Sequence, residues 1–521
     1  MDNRRRPPLY LLLLTVYPVF ALAAANRHEG IRAADLLFPV LASVWFTLVS
    51  WLAAGFFTRD GAKRSMVAVV WIGWFAGYGF ASRVLAPVAP LVRLGVDAFA
   101  IPATLAVGMG LTVWILRTPL TFREISRTLG VTSWVLMLFP ALTFLSAPSG
   151  SGEAAEWTPE PLPRSSPAAT MRPDIYFIVL DAYTGSKSLA RNFGFDNSRF
   201  ESELRGRGFF VPRHTRSNYV STFLALASML NWTYLDDLPV ELEERGKDRA
   251  FPAAMIENSR VMRFLKGEGY QFVFVPSRYP ETATNRYADR VVPPRGAGPA
   301  AYPEFLVAWV ASTPARPLIG VTCLLARCRL DELPFQPEPA ERIRWKFELL
   351  GDLARDPGPK FVFAHLLVPH HPYLFKQDCS SRAPFLLVAA DSAGERQVRA
   401  EYVQQVECVN RQVIALVDRL VADAAHPPVI ILQADHGHGR FPRLGNPPPL
   451  HEADPERVAE RTDIFAAYHM PAAGAELHDS ISPINVFPMV LRHYFGATIA
   501  PLEDRTYYSS HDEPYRFTRL Q

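Results

Sequence analysis

The stretch Pro427-Pro-Val-Ile-Ile-Leu-Gln-Ala-Asp-His-Gly-His-Gly439 decides how the rest of the chain is read. Two prolines open a short, β-branched apolar run at residues 429–432. Such a run is what a strand buried on both faces of a parallel sheet requires, because neither face meets water. It ends in Asp435, His436 and Gly437. The C-terminal edge of a parallel sheet is where open α/β folds bind ligands. Asp and His are donors for divalent metals, and a glycine after them allows a sharp backbone turn. Taken alone, the triplet reads equally well as an ordinary polar turn. Ligands at other strand ends are needed to separate the two readings.

Working outward, apolarity is unevenly spread along the 521 residues, of which 49% are hydrophobic and 20% charged. The net charge of +3 gives no basis for a nucleic-acid partner. Residues 1–147 carry five apolar runs of membrane-spanning length, about 17 to 25 residues each, at 9–25, 34–57, 65–86, 94–116 and 129–147. The first leads into four more and lacks the small-residue cleavage site of a signal peptide. Arg4, Arg5 and Arg6, then Arg59, Lys63 and Arg64, then Arg117, Arg123 and Arg127 occupy alternate flanks and loops. The intervening loops carry only Arg27 and Arg32, and Arg83 and Arg93. The positive-inside rule then predicts a cytoplasmic N-terminus and an extracytoplasmic location for everything after Ala147. Apart from Asp97 near one end, the runs contain no chain of charges such as a transport path needs, so they read as an anchor. Residues 148–172, rich in Ser, Pro, Ala and Glu, read as a linker.

The remaining residues, 173–521, alternate short apolar runs with amphipathic stretches. The runs at 175–180, 272–275, 361–364, 429–432 and 464–468 predict strands. Helical patterns occupy 257–267, 341–355 and 399–424. That alternation predicts an α/β fold, an α/β/α sandwich around a mostly parallel sheet. A late helix is expected over 482–495, capped by Ser482 with Pro483 in its first turn. Residues 302–325 are apolar, but Pro314, Arg316 and Pro317 interrupt them. A sixth span there would put Asp181 and Asp435 on opposite sides of the membrane, so the segment is expected to rest on the membrane or on the spans. All four cysteines follow the apolar runs, which predicts disulfides; proximity favours Cys323–Cys328 and Cys379–Cys408.

The first strand ends in Asp181, so Asp181 and the Asp435-His436 pair are both expected at the C-terminal edge of the sheet and can converge on one metal ion. A nucleophile is available in Ser221-Thr222, which follows a turn-like Ser217-Asn218 and precedes an apolar helical run. A hydroxyl at a helix start is often a simple cap. It also meets the free N–H groups that favour phosphate, and next to a divalent metal it becomes a nucleophile.

Asp at the end of the first strand, Thr at a helix start, a His-rich segment and then Asp-His-Gly, in that order, resemble the sulfatase-like branch of the alkaline phosphatase superfamily. Five spans followed by such a domain resemble bacterial lipoteichoic acid synthases and lipid A phosphoethanolamine transferases. The resemblance implies an enzyme of the bacterial inner membrane with a periplasmic catalytic domain, active in cell-envelope modification. The implied metal ligands are Asp181, Thr222, Asp435 and His436 around a divalent ion (Zn, Mn, Mg or Ca), with Thr222 as the nucleophile rather than Ser221. The transferases have Glu where this chain has Asp181, as hydrolases of the superfamily often do.

In the segment His365-Leu-Leu-Val-Pro-His370-His371-Pro-Tyr, His370 and Pro372 match a substrate-binding His-x-Pro of the transferases. An imidazole there would stabilise phosphate charge or protonate a leaving alkoxide. A surface loop is the plainer alternative. His365, His370 and His451 are also a candidate second metal site, and Asn218, His365, His371 and His451 are candidate substrate contacts. His438 has no evident role. True sulfatases convert a Cys or Ser followed by x-Pro-x-Arg; Thr222 is followed by Phe223, Leu224 and Ala225, which argues against that route. The expected activity is therefore transfer or hydrolysis of a phosphodiester or phospholipid head group, with a membrane lipid or envelope glycan as partner. A sulfuric or phosphate ester hydrolase, or an inactive envelope-assembly scaffold, is the alternative.

Overall fold

The computed structural model describes residues 7–25, 31, 33–85, 96–145, 157, 162, 163, 165, 172–238, 242, 243, 246–292, 304–315, 338–382, 392–424, 426–439, 446–471 and 476–520. The chain divides into two compact units, Met1–Gly152 with Tyr302–Gln336, and Glu153–Ala301 with Pro337–Gln521.

The first unit holds helices α1 (Leu9–Ala25), α2 (Ala33–Ala54), α3 (Gly61–Leu85), α4 (Val96–Arg117) and α5 (Arg123–Leu145). Of the five runs expected to span, the four in α2 to α5 are long and apolar enough to cross a bilayer, whereas α1 has 17 residues and falls short of that length. Their outward faces carry large apolar side chains such as Trp45, Phe80, Trp134 and Phe139. A side chain of that kind is exposed at no cost where the surroundings are lipid. From the segment 302–325, the helix Glu304–Ser312 packs Phe305, Leu306, Trp309 and Val310 against Val19 and Ala23 of α1. It is thus a short helix seated on the apolar bundle.

The second unit is built on a six-stranded sheet of β1 (Ile175–Leu180), β2 (Gln271–Val275), β3 (Arg290–Val291), β4 (Lys360–Leu366), β5 (Val429–Gln433) and β6 (Ala466–His469). Their order is β3-β2-β4-β1-β5-β6, parallel throughout except for β6 against β5. β1 therefore lies at the centre, flanked by the two strands that carry His365 and lead into Asp435. The central strands are fully buried, and their side chains alternate between two cores. Phe177, Phe363, Phe274 and Ile431 face the helices Thr222–Asn231, Ala250–Glu257, Arg260–Gly267 and Val486–Phe495. Ile178, Val362, Val273 and Leu432 face Ala340–Asp352 and Ser392–Asp423. A doubly covered parallel sheet explains why these strands read as continuous apolar runs instead of alternating ones.

Three details differ from the sequence reading. β3 has two residues, too few for any periodic signal. The late helix begins as a 3-10 turn, Pro483–Asn485, and the Ser482 hydroxyl does not cap it; that hydroxyl accepts a hydrogen bond from Asn218 Nδ2 at 2.7 Å. Trp157 and Leu162, in the stretch read as a linker, pack on the core, Trp157 edge-on to Phe251 at 6.0 Å.

Cys379 and Cys408 form a disulfide that ties the His-rich loop after β4 to the helix Ser392–Asp423. Cys323 and Cys328 lie outside the described residues. Closing a loop across a sequence separation of 29 stabilises by about 3 kcal/mol through the unfolded chain. Cys408→Ser in the full-length, detergent-solubilised protein is expected to lose about that much stability, read from its unfolding midpoint. In the native protein both thiols should resist maleimide until a reductant is added.

Candidate active site

Strand parity assembles the site. Odd-numbered residues of β1, β4 and β5 face the core that contains the helix Thr222–Asn231, and His365, Asp181 and Asp435 continue that parity at the C-terminal ends of the three strands. Ligand atoms of Asp181, His365 and Asp435 all lie within 4.8 Å of one another, and all three residues are buried. His436 Nε2 lies 3.7 Å from Asp181 Oδ1 and 3.4 Å from Asp435 Oδ2, and His365 Nε2 lies 3.6 Å from Asp181 Oδ2. Thr222 Oγ1 sits 3.2 Å from His436 Nε2.

Several of these atoms have no hydrogen-bond partner: Asp181 Oδ1, Asp435 Oδ2 and His365 Nε2. Buried polar atoms are rarely left so, because each costs about 1–3 kcal/mol. The spacings of 3.4 to 3.7 Å are long for hydrogen bonds. They are close to the roughly 3.3 Å separating donors around a tetrahedral ion bound at about 2.0 Å. The donor set and its orphaned atoms fit a divalent cation.

The backbone around the carboxylates is shaped for this. Ala182 has φ +60°, a left-handed conformation that costs a non-glycine residue energy. The turn aims the Ala182 N–H at Asp435 Oδ1, 3.2 Å away, while its carbonyl accepts from Tyr402 Oη at 2.8 Å. His365 is oriented by Thr282, whose Oγ1 lies 2.9 Å from Nδ1, leaving Nε2 toward Asp181. That second contact fixes which ring nitrogen is free for a ligand.

Electrostatics agree with the geometry. Burial, reinforced by the Arg461 charge and opposed by Asp435 and Asp181, brings His436 down to about 4, so it is neutral at pH 7 with a lone pair to offer. Burial pushes the Asp181 carboxyl up, but His370, His365 and His436 outweigh it and hold the group below the usual carboxylate range. Two carboxyl groups side by side in the interior are a place where a cation fits.

The glycines of Asp435-His-Gly-His-Gly439 are packing requirements. A Cβ on Gly437 would lie 2.1 Å from the Glu460 carbonyl, and one on Gly439 would lie 2.7 Å from the Arg457 carbonyl. The loop over residues 435–439 thus rests directly on the backbone of the helix Pro455–Thr462, fastened by Gly437 N–H to the Arg461 carbonyl at 2.6 Å. His438, which had no role in the sequence reading, is a buried strut. Its Nδ1 meets Glu460 Oε1 at 2.9 Å, its Nε2 meets Tyr373 Oη at 2.8 Å, and its N–H donates to Thr184 Oγ1 at 2.7 Å.

Of the sequence-predicted residues, Asp181, Thr222, His365, Asp435 and His436 come together, and the His370 ring stands 6.2 Å from that of His436. Three do not join them. Asn218, expected near phosphate, has its amide fully engaged: Nδ2 on Ser482, Tyr234 and the Arg505 carbonyl, Oδ1 on the Ile484 N–H. It locks the segment before Thr222 to the C-terminal region instead. His451 lies on an exposed 3-10 turn beside Glu452, so the second metal site expected from His365, His370 and His451 does not assemble. His371 is exposed and packs edge-on to Tyr373. Ser221 is extended, with φ −128°, and its hydroxyl makes no cap bond; Thr222 is the first residue of the helix. Sequence reasoning missed Arg461, because Pro455-Glu-Arg-Val-Ala-Glu-Arg461 reads as an ordinary solvent-facing helix.

No family model matches this chain, and no curated protein does. Among solved structures it is similar to the integral membrane lipooligosaccharide phosphoethanolamine transferase A of Neisseria meningitidis, with 13% identity over 93% of this chain and 94% of that one and a TM-score of 0.42. It is also similar to the zinc complex of the C-terminal periplasmic domain of EptC from Escherichia coli, with 11% identity over 70% and 96% and a TM-score of 0.44. A third is a putative sulfatase from Bacteroides fragilis, with 15% identity over 67% and 83% and a TM-score of 0.40. At such identities the functional reading rests on the site itself.

Gly437→Ala is expected to push the loop off the helix Pro455–Thr462 and displace His436. Bound divalent metal, counted per protein by elemental analysis, should weaken at least about tenfold in affinity, the scale of second-layer metal defects.

Proposed function

We propose that this chain is a membrane-anchored, metal-dependent transferase or hydrolase of phosphodiesters, with a phospholipid head group as donor and Thr222 as nucleophile. The observation that carries the reading is the Thr222 hydroxyl, 3.2 Å from His436 Nε2 at a helix start, beside two buried carboxylates with orphaned oxygens. Asp181, Asp435 and His436 would hold the ion, with His365 facing the same carboxylates. Two imidazoles in the donor set favour an ion with affinity for nitrogen, of the zinc class, over magnesium or calcium. When bound, such an ion acidifies an adjacent hydroxyl and neutralises charge on the transferring group.

The residues divide the work. Thr222 Oγ gives up its proton to solvent and forms a bond to phosphorus while the bond from phosphorus to the leaving alcohol breaks. His370 delivers a proton to the leaving oxygen. An acceptor hydroxyl, or water, then attacks that phosphorus: its oxygen bonds to phosphorus, its proton passes to His370, and the bond to Thr222 Oγ breaks, the freed oxygen regaining a proton from solvent; the kinetics are ping-pong. Phosphoryl chemistry is favoured over sulfuryl chemistry because Thr222-Phe-Leu-Ala lacks the residues that formylglycine formation needs. The apolar helices α2 to α5 support a lipid donor or an envelope glycan acceptor at a bacterial inner membrane, with the disulfide supporting the periplasmic side.

Thr222→Ala is expected to lower phosphodiester turnover by at least about 1,000-fold while retaining metal, and mass spectrometry should find no adduct on the variant where the wild type carries one. Full turnover in Thr222→Ala would end the assignment. Asp435→Ala should bind no stoichiometric metal. A chelator should silence the wild type, and zinc or manganese should restore it, whereas activity that survives complete demetallation would refute the metal role.

A further inference from the structure

One cation in this neighbourhood is left without a task by the proposed reaction. Arg461 is buried, and its guanidinium makes three contacts. Nε donates to the Val220 carbonyl at 2.9 Å, two residues before the nucleophile. Nη1 donates to the His438 carbonyl at 3.2 Å, on the far side of the metal-facing loop. Nη2 lies 3.2 Å from His436 Nε2, the same nitrogen that Thr222 Oγ1 approaches at 3.2 Å. The first two contacts pin the nucleophile segment and the Asp435–Gly439 loop to each other. The planar fork of arginine suits this, since it reaches two carbonyls and keeps a further N–H group free to point elsewhere.

The third contact cannot persist in a loaded site. His436 Nε2 has one lone pair, and a nitrogen that spends it on a metal ion accepts nothing from Arg461. The Nη2 N–H group then needs a new acceptor, and leaving it unmet in a buried place is costly. Thr222 Oγ1 and Nη2 border the same atom, so an oxygen of a group attacked by Thr222 is the acceptor within reach. Burial pulls the Arg461 guanidinium below its ordinary value, and the neighbouring Asp435 and Asp181 oppose that shift.

We infer that Arg461 is the anion clamp of the site: two of its N–H groups hold the nucleophile and metal loops together, and the third binds an oxygen of the tetrahedral oxyanion transferred to Thr222. This rests on the phosphoryl-transfer reading and deepens it. Arg461 would select substrates whose reacting centre is a tetrahedral oxyanion.

The test is orthovanadate binding to the full-length, zinc-loaded protein, measured by calorimetry beside elemental analysis and kcat/KM. Arg461→Gln should keep its zinc, bind vanadate about 100-fold more weakly and lose roughly 100- to 1,000-fold in kcat/KM. Added guanidinium should restore part of both, which a packing role would not. Wild-type vanadate affinity in zinc-bearing Arg461→Gln overturns the clamp alone. If Arg461→Gln fails to fold, Arg461→Lys decides: weakened vanadate binding with zinc retained supports the clamp, and unchanged binding overturns it. A wild-type protein that holds zinc but binds no vanadate overturns the clamp and the transfer reading together.

Discussion

The structure turns on two carboxylates buried side by side. Asp181 and Asp435 end adjacent parallel strands, and each keeps an oxygen without a hydrogen bond. Two carboxyl groups this close in a low-dielectric interior are unfavourable together unless a cation or a proton lies between them. The surroundings are polar: His365, His370 and His436 lie around Asp181 and hold its carboxyl below the usual range, Arg461 stands behind His436, and the Ala182 N–H points at Asp435. A fold that needed only stability would place apolar side chains here. Retaining two such acids at the centre of the sheet is costly, and a bound cation would offset that cost.

That constraint propagates outward through backbone contacts. The metal-facing loop must approach the helix Pro455–Thr462 so closely that Gly437 and Gly439 have no room for a Cβ. His438 fills the space behind the loop and is satisfied on both ring nitrogens by Tyr373 and Glu460. Glu460 in turn accepts from Asn192 Nδ2 at 2.9 Å, and Tyr373 belongs to the loop that Cys379 and Cys408 tie down. Asn218 fixes the opposite wall by joining the segment before Thr222 to Ser482 and Arg505. Rigid second-layer support of this kind sets the geometry of a metal site to within tenths of an ångström.

How much of this was legible depends on the range of the signal. Buried strands announce themselves because double coverage demands unbroken apolar runs, so β1, β2, β4 and β5 were readable, and so was the convergence of Asp181 with Asp435-His436. Thr222 was readable as a hydroxyl before an apolar run. His365 was harder: it lies at a strand end, but only the register Val179↔His365 places it beside Asp181. Asn218 and Ser482 misled because Asn near a phosphate site and Ser before Pro are familiar local patterns, whereas their actual bond to each other spans 264 residues. His451 misled for a similar reason, since proximity in sequence to Asp435 does not bring it to the site.

Arg461 shows the limit most clearly. Its segment, with Glu456, Arg457 and Glu460, has the charge pattern of a solvated amphipathic helix, and nothing local marks one arginine as buried. Its burial follows from tertiary geometry: a helix laid against the two glycines turns its last residues inward, beneath the nucleophile. The glycines are therefore the sequence-level sign that was available. A Gly-x-Gly placed just past a ligand-bearing strand end leaves a gap that another backbone must fill, and the residues at that approach become part of the site. Here the approach brings in Glu460 and Arg461, a carboxylate that holds His438 and a guanidinium that meets His436. The short helix is thus as much a part of the site as the strands that carry the two acids.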